Sequence, residues 1–480
     1  MNAPSFYWYD YETFGIDPRV DRISQFAGIR TDLDFNIIDE PVNIYCKATN
    51  DILPNPEACL VTGITPQTTL ENGLIEADFI ARVHHEFATP NTCVTGFNSI
   101  RFDDEFTRYS LYRNFFDPYA REWQNGCSRW DIIDLVRVTR ALRPEGINWP
   151  VDESGIASNR LELITKANNI SHEAAHDALS DVHATIAVAK LIKEKQPRLF
   201  DFVFTHKTKQ KVSSMLNLHK PEPVLHTSGM YSSEICNTAM VYPLAQHPTN
   251  KNGIIVFDLR FSPEILNDLS VEQIIERLYT PRDQMPEGVE RVPLKVIHIN
   301  KCPVIAPLKT LDEASAERTD IDQTLHLEHL EALKKLPDLT AKLHQVYKHN
   351  PFDEELDPDK SLYSGGFFSP DDKQRMEQIR ELSETELASA QFNFKDKRIP
   401  EMLFRYRARN YPQSLSEEEL NRWNEYRASR FAGDAEKNIL SIQSYRHIIA
   451  EHLQDSQLSE SQKQVLENLQ AWEKHIAVTP

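Results

Sequence analysis

The chain has 480 residues, 40% of them hydrophobic and 26% charged, which is enough material for two or three globular domains with real cores. A net charge of −19 argues against a protein that coats nucleic acid through its overall field, although it leaves room for a local basic groove. No run reaches the roughly eighteen apolar residues of a membrane span, MNAPS lacks a basic-then-apolar export signal, and six scattered cysteines form no CxxC pair; a reduced, cytoplasmic protein without a disulfide framework or zinc knuckle is expected.

FYWYDYETFG (6–15) is an apolar and aromatic run of strand length that ends in two acids. On a strand, positions i and i+2 share a face, so Asp10 and Glu12 project together while Tyr9 and Tyr11 face the other way. An acid pair at a strand end is ordinarily just solvated, so a functional site requires more acids to join it. QFAGIRTDLDFNIIDEPVNIYC (25–46) reads as two strands about a polar turn, and TCVTGFN (92–98) as another. GFNSIRFDDEF (96–106) then carries Asn98 and Asp103, and the pair Asp103 and Asp104 could equally cap or flank a helix. HDALSDVHATIAVAKLIKEKQP (176–197) has helical spacing, with Asp177 as cap, Ala178, Val182, Ile186 and Ala189 as the apolar stripe, and Pro197 just past the end. It sets His176 five residues before Asp181 and closes an α/β domain over 1–197.

From 198 to 350 the pattern turns β-rich. AMVYPLA (239–245) and GIIVFDL (253–259) flank the turn-prone QHPTNKN, and VPLKVIHI (292–299) alternates with period two, which implies hairpins in a small barrel or sheet. DQTLHLEHLEALKKL (322–336) is helical; its His326 and His329 lack a third ligand and read as a solvated helix face, not a metal site. HNPFDEELDPDKS (349–361) reads as a linker, and 351–480 as a helical domain with capping boxes at Ser416–Glu419 and Ser459–Gln462.

The order D-x-E on a first strand, N-x-x-x-F-D after a middle strand and H-x-A-x-x-D on a closing helix resembles the three motifs of the DEDDh exonuclease superfamily. LVTGITP (60–66) is similar to the superfamily loop beside the terminal nucleotide. RWD (129–131), ALRPEGINWP (141–150), ITKAN (164–168), HINKCPV (298–304) and FRYRARNYP (404–412) narrow the resemblance to the exodeoxyribonuclease I family over essentially the whole chain.

The resemblance implies an α/β, ribonuclease H-like exonuclease domain, a small Src-homology-type β-barrel and a C-terminal α-helical domain, forming a C around the strand. It also implies processive, metal-dependent 3′→5′ digestion of single-stranded DNA to nucleoside 5′-monophosphates, in DNA repair and recombination. Four carboxylates within about 4 Å repel by roughly 4 kcal/mol per pair at an effective dielectric of 20, so they call for cations. All-oxygen ligands suit Mg²⁺, with Mn²⁺ as a substitute, and two metals about 3.5 to 4 Å apart can hold the attacking and leaving oxygens of a phosphoryl displacement. The implied roles are direct metal contacts for Asp10, Glu12 and Asp181, support of the second metal or its waters for Asp103, and general base for His176, whose imidazole titrates near neutrality.

Substrate contacts are expected from Glu12, Arg108, Tyr119, Trp123, Arg137 and Arg160 in the first domain, Lys209 and Asn252 in the second, and Tyr363 after the linker, since single-strand grooves combine phosphate-tracking cations with stacking aromatics. KDKRIPEMLFRYRARN (395–410) either lines that groove or pins the helical domain. The family further implies a monomer that docks the acidic, apolar C-terminal tail of the single-stranded-DNA-binding protein, with Arg143 as a plausible anchor. Two rivals stand beside this reading: an exonuclease acting on RNA, and a catalytically silent end-binding protein. The chain contains no G-x-x-x-x-G-K-[ST], G-x-S-x-G or H-E-x-x-H.

Overall fold

The computed structural model describes residues 3–172, 177–349, 355–433 and 439–476. The chain divides into two compact units, one of residues 1–129, 173–183 and 354–480, the other of 130–172 and 184–353.

In the first unit a six-stranded sheet runs in the order β4-β3-β2-β1-β5-β6, comprising β1 (Ser5–Thr13), β2 (Ile23–Thr31), β3 (Val42–Cys46), β4 (Gly73–Leu74), β5 (Thr92–Gly96) and, at the edge where the chain leaves this unit, β6 (Ser128–Asp131). β1 is antiparallel to β2 and parallel to β5. Both faces of β1 and β2 are buried; β1 reads accordingly as an aromatic run, whereas β2 buries Ser24, Gln25, Arg30 and Thr31 among its apolar residues. Tyr7, Tyr9 and Tyr11 point into an aromatic core with Phe26, Phe79, Phe87 and Phe106, to which the Glu76–Phe87 and Asp103–Arg113 helices contribute. Tyr9 meets Phe87 edge-on at 4.8 Å between ring centroids. Asp10 and Glu12 alternate out of that core, as period two requires.

The helices of residues 370–476 belong to the same unit. The basic run at 395–410 continues into the Ile399–Asn410 helix, whose arginines form a pin: Arg405, Arg407 and Arg409 are buried and paired with Asp357 at 2.7 Å, Glu419 at 2.7 Å and Asp51 at 3.0 Å. Both expected capping boxes form, Ser416 with Glu419 and Ser459 with Gln462.

The second unit is built on a five-stranded antiparallel sheet in the order β10-β9-β8-β7-β11, from β7 (Val224–Thr227), β8 (Thr238–Gln246), β9 (Gly253–Asp258), β10 (Leu294–His298) and β11 (Val304–Pro307). One face packs Val224, Ala239, Val241, Ile254, Val256 and Ile297 into a core. His326 is a correction to the sequence reading. It is buried, and its Nδ1 donates to Asp322 O at 2.7 Å, while His329 Nδ1 donates to Leu259 O at 2.8 Å, so this helix face packs against the sheet unit instead of facing water. No helix among the described residues is long and apolar enough to cross a membrane, and all six cysteines are free thiols.

Candidate active site

β1 delivers Asp10 and Glu12 to one face, and the Ala178–Lys195 helix brings Asp181 to the same place from its first turn. A ligand oxygen from each of the three lies within 4.8 Å of the others, and this is the only such group of potential metal ligands found among the described residues. Asp177 sets the helix start: its Oδ1 accepts from Ser180 N–H at 3.0 Å and its carbonyl from Asp181 N–H at 3.0 Å. His176 lies outside the described residues.

Asp103 arrives from the second motif, in the segment that follows β5. Gly96 at the end of β5 is required by close approach, because a Cβ there would stand 2.7 Å from Tyr9 O on β1. Asn98 then takes φ 63, a left-handed conformation that asparagine tolerates, and the chain turns into the Asp103–Arg113 helix. Its first turn carries Asp103, Asp104 and Glu105, where negative charge suits the helix dipole.

The two adjacent aspartates have different environments. Tyr9 donates its hydroxyl to Asp104 Oδ1 at 3.1 Å, and Arg121 and Arg129 each reach an Asp104 oxygen at 2.6 Å. Burial alone would raise the Asp104 pKa, yet Arg121, Arg129 and Arg108 hold its carboxyl well below the usual carboxylate range. Asp104 is a paired structural anion. Asp103, 4% exposed, is the strongest charged influence on Asp10, whose pKa is pushed well above the usual range by burial first and then by Asp103, Asp181 and Asp177. Glu12 is pushed up to about 9 by burial, then by Asp10, Asp181 and Asp177. At separations near 5 Å and an effective dielectric of 20, each pair of ionised acids costs about 3 kcal/mol.

This donor set fits a divalent ion of the Mg²⁺ class: it is all carboxylate, and its members are too close to ionise together without a cation. Asp177 is the helix cap that the sequence indicates, and its charge also acts on Asp10 and Glu12, because it stands one helical turn before Asp181.

The expected strand contacts are diverse. Trp123 is 67% exposed and Tyr363 56%, both available for stacking. Arg108 is 3% exposed and engaged by Glu122 at 2.8 Å, Glu105 at 2.9 Å and the Tyr363 hydroxyl at 2.9 Å, while its guanidinium lies 5.4 Å from the Tyr119 ring centroid. Its charge is balanced within the chain, and it orients two aromatics. In the second unit, Arg137 pairs with Asp134 at 2.6 Å, Arg160 is exposed beside Glu162, Lys209 is exposed at the start of the Lys209–Met215 helix, and Asn252 is half-buried with its carbonyl accepting from Ile299 N–H. Arg143 is occupied by its own chain, donating to Thr310 O at 3.0 Å and to Asp312 at 3.2 Å. The LVTGITP segment forms the end of one helix, a left-handed Gly63 and the Thr65 cap of the next.

Residues 7–189 match the family described as exonuclease, 207–349 the exonuclease I SH3-like domain, and 356–476 the exonuclease I C-terminal domain. The ribonuclease H-like, Src-homology-type and helical parts expected from the sequence are thus all represented. The exodeoxyribonuclease I of Haemophilus influenzae is 47% identical over 465 residues, spanning 96% of this chain and 98% of its own. Among solved structures, exonuclease I from Methylocaldum szegediense is similar at a TM-score of 0.94 and 51% identity, and Escherichia coli exonuclease I in complex with a dA16 oligonucleotide at 0.94 and 43%. Each comparison covers 99% of this chain and 100% of the other.

Proposed function

This chain belongs to the exodeoxyribonuclease I family, and on that footing we propose that it digests single-stranded DNA processively from the 3′ end, releasing nucleoside 5′-monophosphates in DNA repair and recombination. The observation that carries the proposal is the convergence of Asp10, Glu12 and Asp181 on one point. Those three carboxylates would hold the divalent cation, and Asp103 would help to position a second. Bound Mg²⁺, or Mn²⁺ in its place, supplies the positive charge that lets the acids ionise together and that offsets charge building on the phosphate. His176 takes the proton from the attacking water.

Tyr119, Trp123 and Tyr363 stack on bases, which tolerates any sequence, and Arg108 holds two of those rings in place. Arg137, Arg160, Lys209 and Asn252 follow the backbone, and Glu12 also meets the terminal nucleotide. The domain limits at 197 and 350 are supported by the matched ranges, which change over between 189 and 207 and between 349 and 356. The enzyme acts as a monomer and docks the acidic tail of the single-stranded-DNA-binding protein; Arg143 contributes to that site by giving up its exposed bond to Asp312.

End-labelled oligonucleotides test the proposal. With Mg²⁺, a 3′ label is released at once as a mononucleotide, while a 5′ label persists in a shrinking ladder. With chelator, neither changes. Matched RNA strands should be digested far more slowly. Release beginning at the 5′ label, or oligonucleotide products, would refute the assignment.

A further inference from the structure

Asp10 and Glu12 lie where β1 has lost a neighbour. Pairing with β5 ends at Trp8, so beyond that point the strand is supported by β2 alone. The β1–β2 register then slips between Glu12 and Thr13, with Ser24 as the extra residue on β2, an irregularity of the kind found beside active sites. A carboxylate held against its neighbours' repulsion needs a stiff mount, and the sheet does not supply one on this side.

The C-terminal helices do. Two residues after Glu12, Phe14 is 1% exposed, and its ring leaves the aromatic core of the sheet for a cluster with Ile52, Phe431, Tyr445, Leu469 and Trp472. The Phe14 carbonyl accepts from Asn55 N–H at 2.7 Å. The segment leading to Asn55 is gripped from the same helices: Trp423 Nε1 donates to Asn50 Oδ1 at 3.1 Å, Arg427 Nε to Asn50 O at 2.7 Å, Arg430 Nε to Asp51 O at 2.8 Å and Arg409 Nε to Asp51 Oδ2 at 3.0 Å. Arg430 also reaches Val20 O at 3.4 Å, on the far side of the turn that follows β1. One guanidinium therefore ties together both backbone segments that flank the end of β1.

We infer that the C-terminal helices form part of the active-site scaffold, with Phe14 and Arg430 as positioning residues that fix the end of β1, opposite the irregularity in β2, and, through it, the carboxylate of Glu12. The inference rests on the role proposed above for Glu12. It assigns the helical domain a part in hydrolysis besides any contact with DNA, and it predicts that damage far from the carboxylates is read out as weakened metal binding.

The test compares Arg430→Met, Arg430→Lys and wild type, below the unfolding midpoint of each, by Mn²⁺ binding without DNA (electron paramagnetic resonance) and by steady-state hydrolysis. Arg430→Met should weaken Mn²⁺ affinity and lower kcat by about tenfold, the scale of losses from groups that support metal ligands. KM for the strand should stay within about twofold, because interactions that act on turnover alone leave it unchanged. Arg430→Lys, which can still donate to one of the carbonyls, should recover much of both losses. Hydrogen exchange should quicken in peptides covering 13–22 and 49–55. Native Mn²⁺ affinity and native kcat per folded molecule in Arg430→Met would overturn the inference, whatever its thermal stability. If that variant does not fold, Phe14→Leu serves in the same measurements, with the same expected and overturning results. Hydrolysis that survives Glu12→Gln would instead refute the role of Glu12 itself, so the two failures are distinguishable.

Discussion

Glu12→Gln is expected to lower DNA hydrolysis on the order of a thousandfold while raising the thermal stability of the metal-free protein at pH 8. Both effects have one cause. In the folded chain the Glu12 carboxyl is pushed up to about 9 from an ordinary 4.5, by burial and then by Asp10, Asp181 and Asp177. A group whose pKa rises on folding favours the folded state below its unfolded pKa, and that contribution is lost as pH climbs through the folded value. Metal-free wild-type protein should therefore lose stability steadily between pH 4.5 and about 9. The glutamine variant, with no charge to suppress, should lose less, and its advantage should vanish near pH 4. Mg²⁺ should protect the wild type most at high pH, where the acids are otherwise forced together, and should protect the variant least. Calorimetry over that range with and without Mg²⁺ checks the prediction; a variant less stable than wild type at pH 8, with its Mg²⁺ response intact, would contradict it.

His176→Ala should reduce turnover by about 10² to 10⁴-fold, the range associated with a positioned general base, and leave strand binding nearly unchanged. The residue follows from the H-x-A-x-x-D pattern and stands one position before Asp177, the cap of the helix that carries Asp181. The remaining slow reaction should lose the acidic limb that protonation of an imidazole imposes on wild-type turnover. Steady-state rates across pH, paired with binding to a non-hydrolysable strand, separate this from a folding defect. An unchanged rate would remove His176 from the chemistry.

What could be read in advance follows from which signals are local. The alternation along FYWYDYE is a property of neighbouring residues, and it placed Asp10 and Glu12 on one face before any partner strand was known. The helix behind Asp181 was legible for the same reason, through its cap and stripe. Asp103 and Asp104 were separable only through the resemblance, whose motif picks out Asp103, because two identical side chains in succession otherwise differ only in what meets them. Arg121, Arg129 and Tyr9 claim Asp104, and Tyr9 does so across 95 residues.

The arginines were the least legible of all. Arg108 reads in sequence as a groove cation and Arg405 and Arg409 as either groove or pin, but each is buried and paired with acids of the same chain: Arg409 pairs with Asp51 from 358 residues away. A charge-rich run does not declare whether its partner is solvent, DNA or the same chain. The mounting of Glu12 was equally hidden. Phe14 reads as the tail of a hydrophobic strand, and only the packing shows that its ring has joined the C-terminal helices.

The central claim is that Asp10, Glu12 and Asp181 share a divalent ion, and anomalous diffraction from crystals soaked in Mn²⁺ tests it most directly. A peak within coordinating distance of oxygens from all three carboxylates, absent in Glu12→Gln crystals soaked alongside, is the predicted result. Mn²⁺ bound elsewhere with that cluster empty, in crystals of protein that hydrolyses DNA under the same conditions, would contradict the account.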